Sequence, residues 1–146
     1  MENDPKAFFF NGITLLVSVF VLFSGPLLAS TLLHLLIQVL GVLIILWAIL
    51  ARRANKTKEA SALPSGYFFI TKGPYEIIRH PIYAGYLVFM LSLVEDDPTF
   101  LRFIAILVLL GMIMIKIVRE EQVMLKEVKT YQTYKVKTKA IIPYLL

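Results

Sequence analysis

Cysteine is absent from the chain, and charged residues make up only 17% of it. The first absence excludes disulfide bonds, cysteine-held iron–sulfur clusters and a thiol nucleophile. The second falls well below the roughly 25% typical of a soluble domain. From Ala7 to Ala51 there is no Asp, Glu, Lys or Arg at all. What fills the space is apolar: the AVILMFWYC set contributes 58% of residues, and mean hydropathy is +0.76. With 146 residues, the length of a single domain, a globule cannot hide so much apolar surface. These figures exclude a soluble enzyme, a disordered tail and a secreted disulfide scaffold. They predict an all-α integral membrane protein of one domain, residues 1–146.

A membrane-crossing helix takes about 20 apolar residues. The first uncharged run is long enough for two, over residues 8–23 and 31–51. Ser24-Gly25-Pro26 and Ser30 supply the break between them. Residues 81–94 and 100–118 form the third and fourth apolar segments, separated by the charged turn Glu95-Asp96-Asp97-Pro98. Arg102 and Lys116, near the ends of the fourth, are placed to snorkel to an interface. The opening Met1–Lys6 is acidic rather than basic, unlike a secretory signal.

Four spans put both termini and the loop of residues 52–80 on one side. All the Lys and Arg residues except Arg102 share that side, and the positive-inside rule makes it the cytoplasm. This asymmetry accounts for the net charge of +5. Nucleic-acid binding has no separate basic domain to support it. The two histidines, His34 and His80, fall at opposite ends of the spans, which argues against a shared axial haem site.

The third segment is short. As a helix, residues 81–94 rise about 21 Å, less than the ~30 Å hydrocarbon core. Arg79, His80 and Tyr83 then lie at or just under the headgroup level, either in a pocket or snorkelling outward. Polar residues at that depth are functional candidates. The local pattern is specific. Gly73-Pro74 makes a turn, Pro81 suits the first turn of a helix, and His80 falls at its N-cap. Tyr83 follows His80 by three and so shares its face. An interfacial aromatic belt with a capping histidine is the plainer reading. Glu120 and Glu121 stand where the fourth segment leaves the membrane, against the helix dipole. They either serve a site or belong to a helix that continues outward with ordinary i,i+4 partners. Tyr131 and Tyr134 share a helix face, and an amphipathic helix lying on the membrane is the favoured reading of them.

At these residues the chain resembles the integral membrane methyltransferases of the isoprenylcysteine carboxyl methyltransferase and phospholipid methyltransferase superfamily. The likeness lies in Gly73-Pro74-Tyr75 and in Arg79-His80-Pro81-Ile82-Tyr83-Ala84-Gly85. It continues in Glu120-Glu121 with Leu125, then in Tyr131, Tyr134 and Pro143. It covers about residues 67–143.

The resemblance implies S-adenosyl-L-methionine as methyl donor, leaving as S-adenosyl-L-homocysteine. The donor would be bound on the cytoplasmic side under a C-terminal helical segment. It assigns cofactor contacts to a strand-like stretch, Tyr67, Phe68, Phe69 and Ile70, and to Tyr75, His80, Pro81, Ile82, Tyr83, Glu120 and Glu121. Arg79 and Glu120 are the candidates for catalysis, Arg79 toward a carboxylate, with Glu120 or else His80 as base for an amine. Arg119 and Tyr86 are the candidates for substrate contact. The acceptor implied is lipophilic and enters from the bilayer: an isoprenylcysteine-like carboxylate or, alternatively, phosphatidylethanolamine.

The residue types suit this chemistry. Aromatic faces attract a sulfonium and stack on a purine, a carboxylate binds an ammonium, and a guanidinium binds a carboxylate. Methyl transfer from a sulfonium is an in-line displacement that a dry pocket favours, and it requires no metal. The reading from another class is a small non-catalytic membrane protein, whose polar residues would be scattered rather than gathered at one face.

Overall fold

The computed structural model describes residues 5–55 and 69–143. Among them the chain is all-helical: α1 (Pro5–Phe23), α2 (Leu32–Ala54), α3 (Pro81–Asp96), α4 (Phe100–Glu127) and α5 (Tyr131–Lys137), with a 3-10 turn at Gly73–Glu76. α2 and α4 are long and apolar enough to cross a membrane, and Phe8–Phe23 is a shorter apolar helix. Most of the apolar surface of α2 and α4 is exposed. A core helix of a soluble protein would bury that surface.

Local chemistry sets the helix boundaries. Thr31 caps α2, its hydroxyl accepting from the His34 amide at 3.4 Å. Thr99 caps α4 in the same way, accepting from the Arg102 amide at 3.3 Å. Both are standard N-cap residues whose oxygen satisfies an otherwise orphaned donor. Pro81 occupies the first position of α3, where its missing N–H is no loss. α4 runs nine residues beyond the predicted end at 118, to Glu127. At ~1.5 Å per residue its total rise is about 42 Å. The strand-like reading of residues 67–70 is corrected for the described part: Phe69 and Ile70 are irregular, while Tyr67 and Phe68 lie outside the described residues.

Two compact units divide the chain. The first comprises Met1–Val42 and Tyr86–Ile115. Asp96 closes it at one end by accepting from the Ser30 amide at 2.7 Å, the Ser30 hydroxyl at 3.0 Å and the Thr31 amide at 3.1 Å. Arg102 does not snorkel. It is 1% exposed, donating to the Asp97 carboxylate at 2.8 Å and to the carbonyls of Asp97 at 2.9 Å and Val21 at 3.4 Å. The turn after α1 closes over it, and Gly25 is needed there because a Cβ would run into the Arg102 guanidinium and the Asp97 carboxylate. The second unit comprises Leu43–Gly85 and Lys116–Leu146. Its core is Phe69, Met124, Val128 and Tyr131, with Tyr134 packed against it.

Candidate functional site

The site lies wholly in the second unit and begins at a corner. Gly73 adopts φ +67°, a left-handed conformation open to glycine at little cost. A Cβ there would also stand 3.1 Å from the Ala51 Cβ. The corner passes into the Gly73–Glu76 turn, which buries Pro74. Beyond it the backbone meets the C-terminal strap. Ile78 and Lys139 form an isolated parallel bridge. The Arg79 amide donates to the Lys139 carbonyl at 2.8 Å, and the His80 amide donates to the Ala140 carbonyl at 3.0 Å. The His80 carbonyl accepts the Ala84 amide at 3.0 Å, which puts His80 at the N-cap of α3.

These elements enclose a cavity of about 220 Å³ lined by Arg52, Phe69, Ile70, Tyr75, Arg79, His80, Pro81, Ile82, Tyr83, Glu120, Met124, Tyr131 and Tyr134. The rings of Phe69, Tyr131 and Tyr134 meet edge to face, at centroid distances of 5.9, 5.6 and 5.9 Å. This is the favoured aromatic packing. The Tyr134 hydroxyl donates to the Tyr75 carbonyl at 2.6 Å. α5 therefore turns Tyr131 and Tyr134 inward, not onto a membrane surface. Burial raises the pKa of both phenols and of Tyr75, so all three stay neutral at ordinary pH.

The charges form one connected cluster. Arg79 Nε donates to Glu121 Oε1 at 2.6 Å. The same guanidinium donates to the carbonyls of Lys135, at 3.2 Å, and Thr138. Lys135 Nζ stands 2.7 Å from Glu121 Oε2. The Tyr83 hydroxyl donates to Glu120 Oε1 at 2.5 Å. His80 sits between the two acids, with Nδ1 3.5 Å from Glu120 Oε2 and Nε2 3.5 Å from Glu121 Oε1. Its ring stacks on Tyr83, centroids 5.7 Å apart. The Lys116 ammonium lies 5.4 Å from the Tyr83 ring centre. Burial alone lowers the pKa of His80, but Glu120 and Glu121 outweigh it and the pKa is raised. His80 Nε2 is buried, and its 3.5 Å approach to Glu121 Oε1 is too long for a well-formed hydrogen bond.

The residues singled out in the sequence come together unequally. Phe69, Ile70, Tyr75, Arg79, His80, Pro81, Ile82, Tyr83 and Glu120 all line the cavity. Glu121 does not. It is 7% exposed and stands behind the wall, held by Arg79 and Lys135. Arg119 is half-buried and outside the lining. Tyr86 belongs to the first unit, where its hydroxyl shares a hydrogen bond with Ser18.

Sequence reasoning missed Arg52, Met124 and Lys135. Arg52 reads as one of several topology-setting cations, Lys135 as tail charge, and Met124 carries no distinguishing signal. Glu120 and Glu121 do lie on a helix that continues past them to Glu127, yet their partners come from distant segments and not from i,i+4 neighbours. No family profile matches this chain, and no curated protein or solved structure matches it.

Proposed function

We propose that this chain is a membrane-embedded methyltransferase that uses S-adenosyl-L-methionine to methylate a lipophilic acceptor. The observation that carries the reading is the cavity wall. Aromatic faces from four segments surround one carboxylate, Glu120, and the His80 ring. That donor set fits a ligand with a sulfonium, an ammonium, hydroxyls and a purine. Tyr75, Tyr83, Tyr131 and Tyr134 offer π-faces to the cation and the base. Glu120 suits the ammonium or the ribose hydroxyls. When bound, the cofactor supplies an electrophilic methyl group. The chain's own residues exclude water with Phe69, Ile70, Ile82 and Met124, which strengthens the electrostatics inside.

The proposal includes four spans, residues 8–23, 31–51, 81–94 and 100–118, with the termini and the cavity on the cytoplasmic side. The acceptor enters from the bilayer beside Tyr83. A carboxylate acceptor of the isoprenylcysteine type needs no general base, and Arg52 and Lys116 place positive charge near it. One observation favours the amine of a phospholipid as a second acceptor. Arg79 is already committed to Glu121 and two carbonyls, whereas Glu120 lines the cavity as the candidate base.

The test is S-adenosyl-L-homocysteine binding by the purified protein in detergent, followed by methyl transfer to matched carboxylate and amine lipids. His80→Ala and Glu120→Gln each remove a charge-assisted contact and are expected to weaken binding roughly 10- to 100-fold. Unchanged affinity in both variants overturns the assignment of this cavity.

A further inference from the structure

We propose that the outer face of α5 and the strap that follows it form a seat for an anionic lipid leaflet. The inference rests on the reading of the long apolar helices as membrane spans, and it goes beyond the methyl-transfer proposal. The strap's position is set by backbone bonds. The Lys139 and Ala140 carbonyls accept the Arg79 and His80 amides, directly before Pro81 opens α3. α3 is apolar from its first turn, so the strap is held where apolar helix gives way to polar chain. That level is where lipid headgroups lie.

The two sides of α5 differ. Tyr131 and Thr138 are buried, and Lys135 is tied to Glu121. The opposite face carries Val136, 78% exposed, flanked by exposed Lys137. Lys129 before the helix and Lys139 after it are exposed as well. None of these three lysines makes an ion pair among the described residues. No acidic residue follows Glu127 in the sequence. Exposed apolar side chains, Val136 and Ile142, thus alternate with unpaired cations. A headgroup phosphate above acyl chains matches both at once. The cations meet the phosphates, and the apolar groups enter the boundary beneath them. An acidic soluble partner would satisfy the lysines and leave Val136 in water.

The chain's lack of cysteine gives a clean probe. Val136→Cys is reacted with a membrane-impermeant maleimide in nanodiscs of phosphatidylcholine alone and of phosphatidylcholine mixed with phosphatidylglycerol. Labelling is expected to be slower in the anionic discs by at least about fivefold, the effect of roughly one interfacial lysine. High salt is expected to restore it. Adding Lys129→Gln, Lys137→Gln and Lys139→Gln is expected to abolish the difference between the lipids. Equal fast labelling in both discs overturns the proposal. So does equal protection in both, which would mean that a second copy or another protein covers the face. The readout involves neither methyl donor nor acceptor, so it stands or falls separately from the proposed reaction.

Discussion

At the scale of the residue, His80 concentrates the chemistry. Its spacing to Tyr83 predicts a shared helix face, and the two rings stack at 5.7 Å. Its charge state was not legible, because the two acids that control it lie far along the chain on α4. Glu120 and Glu121 raise its pKa above the ordinary 6.5 despite its burial. Below that ordinary value the folded and unfolded chains both carry the proton, and the imidazolium contributes its full stabilisation. As pH climbs through the raised folded value, the site gives up the proton and the contribution is lost. Thermal unfolding of the detergent-solubilised protein is therefore expected to move to lower temperature across that window. His80→Gln is expected to flatten the dependence. Parallel pH profiles for the two proteins would show that His80 is not charged between the carboxylates.

At the scale of the element, one side chain ties α5 to two other segments. Arg79 leaves the segment before α3, meets Glu121 on α4 and reaches the carbonyls of Lys135 and Thr138 at the end of α5. Both partners of the ion pair are 9% exposed at the side chain. Removing one partner of a buried pair costs about 3 kcal/mol or more. Arg79→Leu is expected to lower stability by that order and to open cleavage by trypsin at Lys137 and Lys139. Adding Glu121→Gln is expected to recover part of the loss, because the stranded carboxylate is gone. A variant as resistant to trypsin as the parent would assign the docking of α5 to the Phe69–Tyr131–Tyr134 cluster instead. The residues of this clamp are visible in the sequence as a basic tail and a pair of acids. Their pairing is not, since it joins positions 42, 56 and 59 residues apart.

At the scale of the whole molecule, charge is partitioned between the two units. All the Lys and Arg residues except Lys6 and Arg102 belong to the second. The acidic turn Glu95-Asp96-Asp97 belongs to the first. Under the four-span topology proposed above, the basic unit faces the cytoplasm. Ser24→Cys is then expected to react with an impermeant thiol reagent from outside intact cells. Arg53→Cys is expected to react only after permeabilisation. The reverse pattern would invert the topology, and labelling of both from outside would break it.

The sequence by itself determined the helical class, the positions of the apolar helices and the corner at Gly73. Each of these depends on neighbours within a few residues or on a local run of hydrophobicity. Only the tertiary structure decided how far α4 continues, which of two adjacent acids faces the cavity, and that Arg102 is buried rather than reaching for water. It also decided that Arg79 is spent on Glu121 and the strap. These outcomes depend on which distant groups arrive to satisfy a buried charge. Burying a charge is tolerated only where partners meet it, and those partners are chosen by packing rather than by spacing along the chain.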